Sequence, residues 1–341
     1  MTALPTAGST DVLYVIDLPG YVFRAFHAIE MLTSPSGEPT NATHGTVNML
    51  TKLINERKPA YLAAALEGRT NFRDEIDENY KAHRPPPPQD LAVQMQRCKE
   101  IVAAYEIPIF EADGFEADDV IAALTKKAKE AGLFVVIASA DKDLMQLVDD
   151  RCVLWDAMRD RVYGPEEVRG KFGVGPAQVR DLLALVGDSS DNVPGVPSVG
   201  VKTAAQLLEE FGSIDGIYER IEEVSKARTR QALVDNKEAA LRSRALVTLR
   251  EDAPVTYDQQ ALHYSGGNVE ELRRVYTELG FVRQLGLLPR QAPPKTQKVN
   301  EIYQSILALE ELDAYLAKVD GDGLSIALLT TPEDAMRCAI V

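Results

Sequence analysis

GFEADDVIAALTKKAKEAGLFVVIASADKD, residues 114–143, decides the fold. Its first part predicts a helix from about 116 to 131 with acids at the start. LFVVIAS (133–139) is an apolar run too short for a helix and reads as a buried strand, followed at once by two more acids. The same alternation continues outward on both sides. VLYVID (12–17) reads as a strand, followed by a helix carrying Phe23, Phe26 and Ile29, and a second helix fits 44–57. AYLAAAL (60–66) suits a strand, 89–105 a helix, 107–110 a short strand and CVLWD (152–156) another strand. Alternating strands and helices predict an α/β core over 1–170, with a largely parallel central sheet flanked by helices. From there the pattern is helical to about 250, broken by GDSSDNVPGVPSVG (187–200), which marks a smaller helical subdomain over 171–288. Residues 67–90, charged, aromatic and ending in RPPPP, read as an exposed excursion, since the prolines forbid a helix through 85–88. PRQAPPKTQK (289–298) lacks apolar periodicity and reads as a linker, 289–299, with 300–341 opening a further domain cut short.

Composition narrows the class. With 341 residues, 45% hydrophobic and 26% charged, the chain has the balance of a soluble globular protein of about two domains. No apolar run approaches the roughly 20 residues of a membrane span, so no membrane partner is expected. The N-terminus lacks the basic start and apolar core of a secretory signal. Cys98, Cys152 and Cys338 fit neither a disulfide framework nor a zinc site. A reducing cytoplasm is the expected location. The net charge of −15 argues at first against a polyanionic partner. From Lys226 to Arg250, however, seven basic residues face only Asp235 and Glu238.

The acids fall where α/β proteins place chemistry, at the carboxyl ends of strands and the starts of following helices. Asp17 closes the first strand and Glu67 the second. Glu116, Asp118 and Asp119 open the helix of the deciding stretch, and Asp141 and Asp143 follow its strand. Asp188 and Asp191, in GDSSD, add a pair from the helical part. Singly, each has an ordinary explanation, because the helix dipole favours acids at a start and Asp is a common turn residue. Gathered together they would repel one another unless a cation compensated. An all-oxygen set selects Mg²⁺ or Mn²⁺, and two such ions suit phosphodiester hydrolysis. His27, His44, His83 and His263 have no ligand-like spacing.

Two further segments bear on phosphate. GVPSVGVKTA (195–204) fails as a P-loop, because Val201 separates Gly200 from Lys202. It reads either as a turn whose N–H groups and following helix start cradle a backbone phosphate, or as an ordinary helix corner. Gly195, Gly200, Lys202 and Thr203 are the candidate DNA-binding residues there. In FRDEIDENYKAHR (72–84), Arg73, Tyr80, Lys81 and Arg84 suit either a solvated helix face or a single strand with stacked bases.

VIDLPGYVFRAFHA (15–28), FRDEIDENYKAHRPPPP (72–88), GFEADDVIAAL (114–124), SADKDLMQLV (139–148) and GDSSDNVPGVPSVGVKTA (187–204) occur in the order seen in a known family. Over about residues 11–285 the chain resembles the N-terminal 5′ nuclease domain of bacterial DNA polymerase I, a relative of the flap endonucleases. The resemblance implies a structure-selective 5′ to 3′ exonuclease and 5′-flap endonuclease. Such an enzyme acts on DNA with a 5′ flap, nick or RNA primer end, and is joined to the polymerase region of the same full-length chain. It implies that Asp17, Glu116, Asp118, Asp119, Asp141 and Asp143 bind metal, with Asp188 and Asp191 holding the second ion. Lys81 and Arg84 become cations of a helical arch over about 67–90, with Arg24 and Arg73 flanking. Lys202 joins a helix–three-turn–helix that grips duplex. A nucleoid-associated cytoplasmic enzyme follows. One departure stands out: the family has Asp at the end of the second strand, where this chain offers Glu67 and a shorter loop. The segment after the linker resembles the opening of a 3′ to 5′ proofreading domain, with Ala327 and Leu329 where that family carries an acidic pair.

Two rival functions remain at this stage. A PIN-type ribonuclease shares a carboxylate-bearing α/β core but needs no duplex clamp at 187–205. A catalytically weakened junction-binding module is the other, suggested by Glu67.

Overall fold

The computed structural model describes residues 2–289, 308–317, 326–330 and 336–340. Two compact units divide between Pro289 and Arg290. In the first, the order is β1 (Val12–Asp17), α1 (Leu18–Ala28), α2 (Asn41–Arg57), β2 (Tyr61–Ala65), α3 (Arg73–Ile76), α4 (Gln89–Ala104), β3 (Ile109–Phe110), α5 (Ala117–Glu130) and β4 (Phe134–Ala138). Then come β5 (Cys152–Asp156), β6 (Arg161–Tyr163), α6 (Pro165–Phe172), α7 (Pro176–Val186), α8 (Val201–Phe211) and α9 (Ile214–Glu219). The unit ends with α10 (Ala227–Asp235), α11 (Lys237–Val247), α12 (Val269–Leu279) and α13 (Val282–Leu287). The second unit contributes α14 (Leu309–Leu316) and an antiparallel pair, β7 (Ile326–Thr330) with β8 (Met336–Ile340). Ala327 and Leu329 lie on β7; the linker and most of the neighbouring chain fall outside the described residues.

The sheet order is β3-β2-β1-β4-β5-β6. Every residue of β1 is buried, as a central parallel strand covered on both faces requires. Leu13 and Val15 face one core, shared with α5, α7, α8 and α11; Tyr14 and Ile16 face the other, shared with α1, α2, α4 and α12. The chain leaves β1 toward β2 on one side and returns to β4 on the other, so a crevice opens beyond the carboxyl ends of β1 and β4. Helix α5 starts there for local reasons. Glu116 is its N-cap, Asp119 closes a capping box back to the Glu116 N–H, and Lys127 and Lys129 complement the dipole in the last turn.

Two features differ from the sequence reading. β6 runs antiparallel to β5, an edge strand made by the short turn after Asp156. Residues 67–90 form no long helix and are not wholly exposed. Before α4 begins at Gln89 only α3, a four-residue turn, is helical, and Arg73 and Tyr80 are 1% and 7% exposed. The charged composition suggested solvent, but Arg73, Asp77, Lys81 and Arg84 find partners within the protein, which composition does not reveal.

Candidate active site

Asp17 ends β1 and caps α1: its carboxylate accepts from the Gly20 N–H at 2.9 Å and the Ser139 hydroxyl at 2.6 Å. A Cβ on Gly20 would run into that carboxylate, so the glycine permits the close turn. Ser139, just past β4, also accepts from the Asp141 N–H at 3.0 Å, and Asp141 accepts from the Asp143 N–H at 2.8 Å. β1 and β4 are adjacent and in register, so both strand ends deliver acids to one place.

Asp118, one residue into α5, faces this group. Burial raises its pKa well above the usual carboxylate value, and Asp141, Asp17, Asp143 and Glu116 raise it further. Burial likewise lifts Asp17 to about 6, and Asp143 to about 8 with Asp141 adding to the effect. Asp143, Asp188 and Asp191 each bring a carboxylate oxygen within 4.8 Å of the others, and Asp143 Oδ1 is buried with no hydrogen-bond donor. A buried acceptor without a donor is costly, and carboxylates that raise one another's pKa call for a cation. The donor set, all oxygen, fits a hard divalent ion.

The outer acids are already compensated. Lys142 Nζ lies 2.7 Å from Asp188; although burial opposes ionisation, this cation and the Ser190 N–H hold Asp188 below the ordinary value. Glu116 meets Lys81 Nζ at 2.5 Å, Asn71 Nδ2 at 2.8 Å and the Tyr80 hydroxyl at 3.1 Å. Asp191 meets Arg84 Nη2 at 2.5 Å and Lys81 Nζ at 3.6 Å. Burial pulls the Lys81 ammonium down, but Glu116 and Asp191 outweigh it and hold its pKa above normal. Lys142, Ser139 and Asn71 were missed in the sequence. Lys142 and Ser139 sit inside the SADKD motif, yet only long-range packing supplies their partners.

Several expected site residues have other occupations. Asp119, 0% exposed, accepts from Arg73 Nη1 at 2.6 Å, Arg73 Nη2 at 2.9 Å, the Arg250 N–H at 2.9 Å and the Glu116 N–H at 3.1 Å. Four donors fill the lone-pair directions of a carboxylate, leaving none for an ion. Arg73 also donates to the carbonyls of Leu246 at 2.6 Å and Thr248 at 3.0 Å, so it ties α5 to the end of α11 from within. Tyr80 is covered and its hydroxyl is engaged, so no base stacks on it in this arrangement. Arg24 forms a two-point pair with buried Asp156 at 3.0 and 3.1 Å. Glu67 is exposed two residues beyond the Ala65 that pairs with Asp17; it acts on Asp17 through space.

The 187–200 segment folds tightly. Gly195 has φ +64, and a Cβ there would strike the backbone of Gly187 and Val186. Its N–H donates to Ser243 Oγ at 3.1 Å, so this glycine serves the turn and offers no free donor to phosphate. Gly200, by contrast, is the exposed N-cap of α8, followed by exposed Lys202 and half-buried Thr203.

Comparison with known proteins gives a consistent picture. Residues 12–173 match the 5′-3′ exonuclease N-terminal resolvase-like domain, and residues 174–270 match the 5′-3′ exonuclease C-terminal SAM fold. DNA polymerase I of Rhizobium leguminosarum is 42% identical over 284 residues, covering 81% of this chain and 27% of that protein. The 5′-3′ exonuclease of Aquifex aeolicus is 36% identical over 288 residues, 83% of this chain and 98% of its own length. A solved structure of T5 5′-exonuclease with zinc ions bound shares the fold at TM-score 0.60 and 23% identity, covering 79% of this chain and 99% of that one. The chain spans less than a third of its polymerase relatives from Rhizobium leguminosarum and Bacillus subtilis, 27% and 31%, but nearly the whole of a stand-alone exonuclease. With both halves matched in order and the acids converging at the strand ends, the chain belongs to the 5′-3′ exonuclease family of nucleases.

Proposed function

We propose that the chain hydrolyses phosphodiester bonds at 5′ ends and 5′ flaps of DNA with divalent metal ions, as the nuclease part of a DNA polymerase I. The observation that carries the metal reading is the buried, donorless Asp143 Oδ1 within a group of carboxylates. Asp17, Asp118, Asp141 and Asp143 would hold one Mg²⁺ or Mn²⁺, with Asp188 and Asp191 serving a second. Such ions supply Lewis acidity and offset the charge that develops on the phosphodiester oxygens. The protein's own groups do the rest. Asp119 and Arg73 fix the start of α5, Lys81 and Arg84 carry positive charge at the rim, and the start of α8 presents N–H groups and Lys202 to a strand. Glu116 lies beside the metal residues, paired with Lys81 and bonded by the Tyr80 hydroxyl. The removal of RNA primers and displaced strands, with the nucleoid as the place of work, is the role this reading assigns to the chain. Residues 300–341 would then begin a proofreading-like domain without its acidic pair.

The test is cleavage of a 5′-flap DNA labelled at its 5′ end, in Mg²⁺, in Mn²⁺ and in excess chelator. Metal-dependent release of the flap supports the reading; preferential cutting of single-stranded RNA would favour the ribonuclease alternative, and tight junction binding without cutting the binding module.

Lys202→Ala is expected to weaken duplex binding uniformly across sequences, because a phosphate contact positions without reading bases. The slope of log affinity against log salt should fall in magnitude by about 0.9. An unchanged slope and affinity would reduce this segment to a helix corner.

Glu67, exposed beyond the end of β2, acts on Asp17 through space. If its longer side chain reaches an ion beside Asp17, Glu67→Ala should shift the metal-concentration curve for cleavage to higher concentrations. Mn²⁺ should then outperform Mg²⁺, which is stricter about octahedral geometry. A superimposable curve at wild-type maximal rate would exclude Glu67 from the site.

A further inference from the structure

We propose that the loop from Asp77 to Arg84 is a latch: its two cations occupy the outer carboxylates of the cluster, and a divalent ion binding there displaces them and frees the loop. This rests on the metal reading above. Lys81 Nζ bonds Glu116 at 2.5 Å and reaches Asp191 at 3.6 Å, while Arg84 Nη2 bonds Asp191 at 2.5 Å. The Tyr80 hydroxyl donates to the same two acids at 3.1 and 3.2 Å. Every ion pair of the loop's two cations therefore ends on two acids, one of which belongs to the group with Asp143 and Asp188.

The inner acids are treated differently. Among the described residues, no Lys or Arg nitrogen is paired with Asp17, Asp118, Asp141 or Asp143, whereas Asp188 and Asp191 have three cations between them. An ion held by Asp143, Asp188 and Asp191 must take Asp191 from Lys81 and Arg84. Asp188 would likewise be shared with Lys142, and the ion's double charge would repel the nearby Lys81 ammonium from Glu116.

Other contacts of the loop are the Lys81 N–H to the Asp191 carbonyl at 3.0 Å, Asn192 Nδ2 to the Asn79 carbonyl at 2.7 Å, Arg84 Nε to the Ser190 carbonyl at 3.1 Å, the Asp77–Arg242 pair at 3.4 Å and the packing of the Tyr80 ring. None of them ends on the inner acids. Lys81 itself sits at φ +53, the left-handed region that side chains other than glycine avoid. Pro85 to Pro88 follow, with no N–H to anchor them. Release would uncover Tyr80 and turn Lys81 and Arg84 outward, where both become available to phosphate. The loop that blocks the site in the absence of metal thus becomes part of the substrate surface in its presence.

Chymotrypsin cleavage after Tyr80, followed by mass spectrometry without DNA, tests this, with Mn²⁺ binding measured separately by calorimetry. In chelator the Tyr80–Lys81 bond should be protected; saturating Mn²⁺ should speed its cleavage by about tenfold or more, since proteolysis tracks the open population. The double variant Lys81→Met/Arg84→Gln should be cut rapidly without metal, show no further response to Mn²⁺, and bind Mn²⁺ more tightly than wild type. Mn²⁺ binding that leaves cleavage after Tyr80 unchanged or slower would overturn the latch while sparing the metal reading. Equal Mn²⁺ affinity in the double variant would do the same. Failure of the wild type to bind Mn²⁺ at all would overturn both.

Discussion

Asp118→Asn should abolish metal-dependent cleavage and at the same time stabilise the metal-free protein. Asp118 faces Asp141, Asp17, Asp143 and Glu116, and both burial and these charges oppose its ionisation. An amide of nearly equal size removes one negative charge from the group, relieving repulsion without opening a cavity. The loss of cleavage should exceed the roughly 10–100-fold that removing an outer-shell partner costs a metal site, because a direct ligand is lost. The stability effect has a definite pH dependence. Asp17 and Asp143 have folded-state pKa values of about 6 and about 8, raised from 3.8, so the fold favours their protonated forms. That contribution is fully present below about pH 4 and is lost as pH rises through 6 and 8. Metal-free wild type should therefore melt lower at pH 8 than at pH 5, and Asp118→Asn should lose less over the same range. Saturating Mg²⁺ should recover the wild type at pH 8 but barely move the variant. Thermal melts at the two pH values, with and without Mg²⁺, give the answer; an Asp118→Asn protein that cleaves at the wild-type rate, or melts lower than wild type at pH 8 without metal, would sink the assignment.

Asp119→Ala is expected to act on the fold itself. It strips the two-point carboxylate from a guanidinium that is 1% exposed, leaving Arg73 with Glu116 at 3.4 Å and two carbonyls. Breaking a buried pair from one side typically costs about 3–5 kcal/mol, a large share of the roughly 5–15 kcal/mol that stabilises a domain. The Arg250 and Glu116 N–H groups lose their acceptor as well. Arg73→Met should also destabilise, and the double variant should recover part of the loss, because neither buried charge is then left alone. Urea denaturation of the two single variants and the double variant measures this coupling. Additive losses would show that the two side chains do not act as a pair. Reduced cleavage by Asp119 variants would thus arise through an unsettled α5 start, a route distinct from that of Asp118.

Much of this was legible in the sequence because it is local. β1 matches VLYVID residue for residue, α4 and α5 lie within a residue or two of their expected bounds, and the acids at strand ends were visible as a pattern. Asp118 and Asp119 show where such reading stops. Adjacent and chemically identical, they point from consecutive helical positions in different directions, one into the acid cluster and one onto Arg73. A local capping box already engages Asp119 with the Glu116 N–H; its main partner Arg73 is held in place by the Leu246 and Thr248 carbonyls, more than 170 residues away from Arg73. The loop after β2 was misjudged for a related reason. Its charges looked solvent-bound until their partners, Glu116, Asp119 and Asp191, were brought in by the helices that follow.

The unequal strand lengths of the sheet bear on edge-to-edge pairing between copies of the chain. Four parallel strands fill its interior, and parallel pairing is slow to form because distant segments must meet first. While such strands wait they are prone to recruit a neighbouring chain along an open edge. Here the outermost strands are β3, only two residues long, and β6, three residues long with Arg161 at its start. Short edges and an exposed charge present little backbone for a foreign strand to copy. Lengthening β3 or β6 with β-branched residues should therefore leave the nuclease centre untouched while lowering the yield of soluble protein on refolding.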